Sequence, residues 1–428
     1  MAERSQAIRD KHSPRVIAAL KVLLEDCRPR DFAVELWDGT RIDPEPGQFC
    51  RFTWRINHPG ALRAALRSNH QVALGEAYTF GDFDITGDIL ACFAVADYLA
   101  GKNWSTAEKL YLGRLLTRLP PVARDIEATR LRGRLHSKQR DRQAIQFHYD
   151  VSNDFYRLWL DPAMVYSCAY FRSAEDSLAT AQQQKLDYIC RKLRLQCGER
   201  LLDIGCGWGG LILHAAQNYG VRAVGITLSE QQLPLARRRI EEAGLSALCE
   251  VRLLDYRDAA QLGEFDKISS VGMVEHVGRA QLPEYFERVF HLLKPCGVFL
   301  NHGIGRSGSA ATPEGPSFIK TYVFPDSELV PISAMVGAAE GVGFEVRDVE
   351  NLREHYYLTL CRWLRGLEAN ESRACDLIGD LKYRTWHLYL AGCAYYMQTG
   401  EMNLYQTLLI KNKNGRSSLP LTRQDWYR

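Results

Sequence analysis

The sequence predicts a doubly wound α/β domain preceded by a smaller α+β domain, and two observations carry that expectation. From about residue 145 onward, strand-like apolar runs alternate with amphipathic, helix-like ones. One of these runs, Arg200-Leu-Leu-Asp-Ile204, ends in glycines at 205, 207, 209 and 210 and passes into the amphipathic Leu211–Ala216. A buried strand that turns into a helix across a glycine-rich bend has this pattern. Glycine accepts positive φ and lets the backbone approach a ligand, and such a bend lies at the carboxyl ends of the strands, where open sheets bind ligands. On its own the bend is equally a tight structural turn. A dinucleotide, an adenosyl cofactor and no ligand at all remain open at this point.

The elements follow in order. Val16–Leu24 reads as an amphipathic helix. Ala33–Trp37, a turn at Asp38-Gly39 and then Phe49–Ile56 read as a hairpin. Pro59–Leu66 starts another helix, and Gly75–Asp88 is a turn-rich stretch with buried aromatics. This module has no cofactor turn. A boundary near residue 140, after Pro120-Pro121 and a basic segment, gives an N-terminal, lipid- or substrate-associated domain over 1–140 and a catalytic domain over 141–428.

In the second domain, strands are expected at Arg200–Cys206, Arg222–Leu228, Cys249–Asp255, Asp266–Val271, Gly297–Ile304, Phe344–Val349 and Tyr405–Lys411, with helices after the first five. The last strand follows a long helical stretch, Leu360–Thr399, and is expected to insert antiparallel. Seven strands ending that way suit a Rossmann-like methyltransferase sheet with helical insertions, not a six-strand dinucleotide sheet. The details agree. A dinucleotide site wants Gly-x-Gly-x-x-Gly and an acid about 20 residues on for the ribose. Here the bend is Gly-Cys-Gly-Trp-Gly-Gly and the second strand ends Thr227-Leu-Ser229. A small adenosyl ligand fits better, with its adenine gripped at Asp255-Tyr256.

Composition bounds the partners. With 46% hydrophobic and 25% charged residues and no apolar run near ~20 residues, a membrane span is not expected. The start opens into charge, so no secretion signal is expected. The 12 cysteines form no CxxC pair and no His/Cys cluster, which points to reduced cytosolic thiols and to no metal. Residues 101–145 hold eleven Lys/Arg against four acids, a local charge of +7 in a chain of +3 that leaves −4 elsewhere. Leu110, Leu112, Leu115, Leu116 and Leu119 interleave with these basic residues. The plain reading is a solvated linker; the sharper one is an anionic membrane interface, since no nucleic-acid module accompanies it.

The stretch His148-Tyr-Asp-Val-Ser-Asn-Asp-Phe-Tyr156, continuing through Met164-Val-Tyr-Ser-Cys-Ala-Tyr-Phe171, resembles the cyclopropane fatty acid synthases, which include the mycolic acid cyclopropane synthases. The likeness continues at Leu201–Gly210, Gly225–Ser229 with Gln232, Val274–Gly278, Tyr322–Asp326, Tyr356–Leu360 and Leu419–Arg423, with a weaker echo at Gly75–Tyr78. The resemblance implies methyl transfer from S-adenosylmethionine to a cis double bond of an unsaturated phospholipid acyl chain. An alkene is a weak nucleophile, so the methyl must be held in line with it. The resulting cation needs shielding and electron-rich faces, and ring closure needs a base. The resemblance implies bicarbonate as that base, cradled by Cys168 and Ile304 through their backbones and by Glu275, His302 and Tyr356. It places the cofactor against Tyr166, Ser167, Gly205, Gly207, Gly209, Thr227, Leu228, Gln232, Tyr256 and Val271. Cys393 matches a cysteine treated in the family as a candidate nucleophile, although no step requires one.

Each residue also has a plainer reading: Cys168 as a packed thiol, Glu275 and His276 as a capping pair, His302 and Tyr356 as satisfied core groups. One departure bears on the product. Relatives commonly carry threonine between the histidine and the isoleucine of Asn301-His-Gly-Ile-Gly305, and this chain carries Gly303. Ring closure is the first expectation. A methyl- or methylene-branched chain is the alternative, and a small-molecule N- or O-methyltransferase or an inactive lipid-binding protein are more distant ones. The expected setting is cytoplasmic, peripheral to the inner membrane face and its anionic phospholipids, with a homodimer left open.

Overall fold

The computed structural model describes residues 10–66, 70–124, 131–149, 151–308, 317–417 and 419–427. The chain divides into two compact units, one of residues 1–129, 314–321 and 380–395, the other of 130–313, 322–379 and 396–428. The single cut predicted near residue 140 therefore misses two later segments that belong with the first unit. They join it by contacts that local sequence does not encode. The Tyr78 hydroxyl lies 2.7 Å from His387 Nδ1, Arg384 donates to the carbonyls of Tyr78 and Phe83, and Tyr395 donates to Asp97.

The first unit has a four-stranded sheet in the order β2-β1-β3-β4, with β1 at Phe32–Leu36, β2 at Arg41–Ile42, β3 at Phe52–Ile56 and β4 at Phe83–Gly87. The expected hairpin is corrected. The Asp38-Gly39 turn leads only to the two-residue β2, and β3 pairs with β1 in parallel. Strand β3 buries Phe52, Trp54 and Ile56 and turns Thr53 and Arg55 outward. That alternation reads the same in either direction, so direction was not encoded in it. The stretch from Gly75 is corrected too: its first part closes a helix, His70–Thr79, and the chain turns only at Phe80-Gly81 before β4.

Helix Thr106–Thr117 begins with a capping box between Ser105 and Glu108, which satisfies two otherwise orphaned amides. It buries none of its own residues, and Leu110 and Tyr111 are 61% and 50% exposed. Not all of the basic segment is outward. Lys102 pairs with Asp26 and Glu108, and the Arg124 side chain is buried between Glu76 and Asp82.

The second unit is built on a seven-stranded sheet, β10-β11-β9-β8-β5-β6-β7. Its strands are β5 (Arg200–Ile204), β6 (Arg222–Thr227), β7 (Cys249–Leu253), β8 (Phe265–Val271), β9 (Leu293–Arg306), β10 (Glu345–Asn351) and β11 (Met402–Ile410). All seven expected strands form. Strand β11 runs antiparallel to both of its neighbours, as the sequence predicted. After β7 the expected helix is only a 3-10 turn, Tyr256–Leu262.

Period-two alternation sorts the strand residues onto two layers. Leu201, Ala223, Val298, Leu300 and Leu408 pack with Ile189, Leu211 and Ala215 of one helical layer. Leu202, Ile226, Ile268, Phe299 and Leu409 pack with Phe286, Val289 and Met335 of the other. Each large apolar side chain so buried contributes about 1.5–3 kcal/mol. Among the described residues, no helix is long and apolar enough to cross a membrane.

Candidate active site

Strand β5 delivers its chain to the carboxyl edge of the sheet, where Gly205, Gly207 and Gly209 all take positive φ. At Gly205 (φ 81°) the amide donates to Ile226 O of β6 at 2.9 Å, and a Cβ would stand 3.3 Å from the Met273 side chain. Conformation and space both favour glycine there. The bend opens into a cleft. Tyr166, Ser167, Gly205, Gly207, Thr227, Leu228, Gln232, Tyr256 and Val271 line it. Gly209 is not among the lining residues; it precedes helix Gly210–Tyr219 as its cap.

Around this cleft, polar groups satisfy one another. Gln232 Oε1 accepts from the Thr227 hydroxyl at 2.8 Å, and Asp255 takes bonds from the Arg257 amide and guanidinium. Arg257 also donates to Asp141 and to His136 O, tying helix Lys138–Tyr149 to the site. The motif residues Asn153 and Trp208 meet directly, with the indole N–H donating to Asn153 Oδ1 at 2.7 Å. The His148–Tyr156 block and the glycine bend are thus one assembly.

A second group gathers at the ends of β8 and β9. Glu275 Oε1 accepts the Ile304 N–H at 2.6 Å, while Oε2 is buried without a partner among the described residues. Burial raises this carboxyl to about 7, opposed by the bond from Ile304. His302 is 1% exposed on β9, with Nδ1 facing Gln406 Nε2 of β11 at 3.1 Å. With the Gln406 amide in this orientation its N–H₂ donates, so that Nδ1 accepts and the ring proton sits on Nε2, which is buried without a partner among the described residues. Burial, with the charges of Lys185 and Lys192, holds His302 well below the usual range, hence neutral.

Cys168 is fully buried, its thiol pushed up by burial, and its Sγ lies 3.2 Å from Ala169 O and 3.9 Å from Leu352 O. The neighbouring amide of Ala169 is held by Thr359 Oγ1 at 3.0 Å, on the helix that carries Tyr356. Tyr356 is buried and meets Trp363 edge-on, with ring centroids 6.0 Å apart. Cys393 belongs to the first unit, on helix Asp380–Thr399, and burial pushes its thiol up to about 12. A thiol held that high is not a thiolate at neutral pH.

Sequence reasoning missed two features. One is an aromatic chain, Tyr149–Tyr166–Trp363–Tyr356, with successive centroids 6.1, 5.1 and 6.0 Å apart. The other is two buried ionisable residues on the cleft wall, Lys185 and Asp203, which make no ion pair with each other. Gly303 has a definite reason to be small: a Cβ there would collide with Val274 Cγ1.

Comparison with known proteins agrees with this geometry. The family described as mycolic acid cyclopropane synthetase matches residues 136–407, and a domain of unknown function matches residues 19–102. A probable fatty acid methyltransferase of Pseudomonas putida is 41% identical over 399 residues, 92% of this chain and 96% of that one. The cyclopropane-fatty-acyl-phospholipid synthase of Escherichia coli K12 is 38% identical over 282 residues, 66% of this chain and 71% of that one. Among solved structures, mycolic acid cyclopropane synthase CmaA1, complexed with SAH and CTAB, superposes with a TM-score of 0.60 at 34% identity, covering 63% of this chain and 98% of that one. Matched over more than half its length by that family, and over nearly all of it by a relative above 30% identity, the chain belongs to the cyclopropane synthase family of S-adenosylmethionine-dependent methyltransferases.

Proposed function

We propose that the chain transfers a methyl group from S-adenosylmethionine to a cis double bond of an unsaturated phospholipid acyl chain and closes it to a cyclopropane, with bicarbonate as the general base. The observation that supports this reading is the pair of buried polar atoms without partners among the described residues, Glu275 Oε2 and His302 Nε2. Such atoms are costly to leave unbonded. A small anion with one hydroxyl fits them chemically, the hydroxyl donating to Glu275 and an oxygen accepting from His302. When bound, that ion supplies the base that removes a proton as the ring closes.

The chain's own residues do the rest. Glu275 orients the cradle, and Gln406 fixes the His302 tautomer so that Nε2 donates. The Ile304 amide is already given to Glu275, so its part is to aim that carboxylate and not to hold the anion, which revises the expected cradle. Tyr356 and the Cys168 backbone remain its other walls. Tyr149, Tyr166 and Trp363 present electron-rich faces, which suit a developing carbocation.

The substrate would be met at an anionic bilayer on the cytoplasmic side. Lys109, Leu110, Tyr111, Arg114 and Arg118 are exposed on or just after helix Thr106–Thr117, an apolar and basic stripe. At ~1 kcal/mol per well-placed basic residue, vesicle binding should weaken as salt rises. Salt-insensitive binding would return the stripe to plain solvated surface.

Gly303, and the name of the Pseudomonas putida relative, favour a second reading in which the product keeps a methyl or methylene branch. Mass alone cannot separate ring from methylene branch, since both add CH₂. Proton NMR of phospholipid recovered after incubation with S-adenosylmethionine decides between them. High-field ring methylene signals are expected; vinylidene or branch-methyl signals would replace the first reading with the second.

A further inference from the structure

The second turn of helix Leu178–Leu193 carries a cation that the chemistry above does not use. Gln182 and Lys185, three residues apart on one face, reach the segment that bears Tyr166, Ser167 and Cys168. Gln182 Nε2 donates to the carbonyls of Val165 and Ser167 at 3.2 and 2.8 Å. Lys185 Nζ donates to Ser167 Oγ at 2.8 Å, its one hydrogen bond among the described residues. An ammonium has three protons to place.

Lys185 is 1% exposed, and among the described residues no carboxylate lies within ion-pair distance of it. The acids in its surroundings are engaged elsewhere. Asp161 accepts the amides of Ala163 and Val165 at 2.9 and 2.8 Å, and Asp203 accepts the Ser269 hydroxyl at 2.8 Å. A buried charge without a counter-ion is unfavourable, and proteins retain one where a ligand supplies the partner. Burial lowers Lys185 to about 8, opposed by Asp161, Cys168 and Asp203, which is the direction expected of a cation awaiting its anion. Ser167, Lys185 and Asp203 all line the cofactor cleft.

We infer that Lys185, with Ser167, forms the subsite for the α-carboxylate at the amino-acid end of S-adenosylmethionine, and that this carboxylate is the counter-ion the buried ammonium lacks. The site discriminates by charge: it favours cofactor forms that keep the carboxylate and leaves the adenosine end to other residues. The plainer alternative is a lysine that only props Ser167.

Calorimetry separates the two. S-adenosylhomocysteine is compared with its decarboxylated analogue, which keeps adenosine, thioether and amine and lacks only the carboxylate. Wild-type protein should bind the analogue at least about tenfold more weakly, the scale of a lost charge-assisted bond. Lys185→Met should weaken S-adenosylhomocysteine by a similar factor and leave the analogue within about twofold, with Lys185→Arg recovering part of the loss. Equal binding of the two ligands by wild-type protein overturns the inference without any variant, so it stays open to refutation even if Lys185→Met does not fold. Equal weakening of both ligands by a folded Lys185→Met also overturns it, in favour of the prop.

Discussion

In the cofactor cleft, Thr227 and Gln232 bond to each other and Asp255 is clasped by Arg257. At the end of β9, Glu275 and His302 each keep one buried atom without a partner among the described residues. Both regions lie on one sheet, at the carboxyl ends of its parallel strands. Apart from Lys185, these polar groups of the cleft are paired within the protein, and bent backbone makes the room. The Glu275–His302 group instead holds two buried polar atoms that the described residues around them do not bond. A region of the first kind can lose one side chain and still bind; a region of the second kind depends on each atom that completes it.

Breaking that contrast begins at Glu275. Glu275→Gln should lower turnover on phospholipid vesicles by about 10²–10⁴-fold, the scale of acid–base catalysis, with affinity for S-adenosylhomocysteine changed by less than about twofold. Loss of both would show the two regions to be one. The same residue should govern stability against pH. Its folded carboxyl titrates at about 7, against 4.5 when unperturbed, because it is buried. Between those values the folded protein holds a proton that the unfolded chain has released, so this group makes stability fall as pH rises through that window, by on the order of 3 kcal/mol in all. Denaturant unfolding from pH 5 to pH 8 should show a clearly smaller decline in Glu275→Gln than in wild-type protein, since buried Asp203, raised to about 6, still contributes in both.

Gly303→Ala puts a methyl against Val274, beside Glu275, and should cost about 1–3 kcal/mol. Combining it with Val274→Ala should give a favourable coupling of ~1 kcal/mol in a double-mutant cycle by chemical denaturation; additivity would mean that the strand moves aside instead. On the cleft side, Gly205→Ala meets both positive φ and Met273, and should cost ~1 kcal/mol of stability while weakening S-adenosylhomocysteine. Unchanged affinity there would show that the bend merely turns the chain.

The seven strands of the second unit were legible because buried strands leave apolar runs bounded by turn residues, and most residues that line the cleft were legible because they follow strand ends. Strand β3 shows what is not legible: Phe52, Trp54 and Ile56 declare a buried face but not whether the partner runs parallel. The segment 380–395 joins the first unit through His387 and Arg384, polar groups that local patterning assigns to no particular partner. Lys185 was overlooked because a lysine in a helix ordinarily belongs to a solvated face. A signal was present. Ala181, Lys185, Ile189 and Lys192 fall at helical spacing on one stripe, and all four are buried.

The insertion of β11 between β9 and β10 sets an order of assembly. The cleft is lined by residues between Asp141 and Gln281, all of which leave the ribosome well before Gln406, the residue that holds the His302 ring. Until β11 is synthesised, β9 lacks its neighbour on that side and the histidine lacks its support. The cleft at the glycine bend is therefore complete in the nascent chain before His302 has its support, so the Glu275–His302 group is the last part of the sheet that translation can finish.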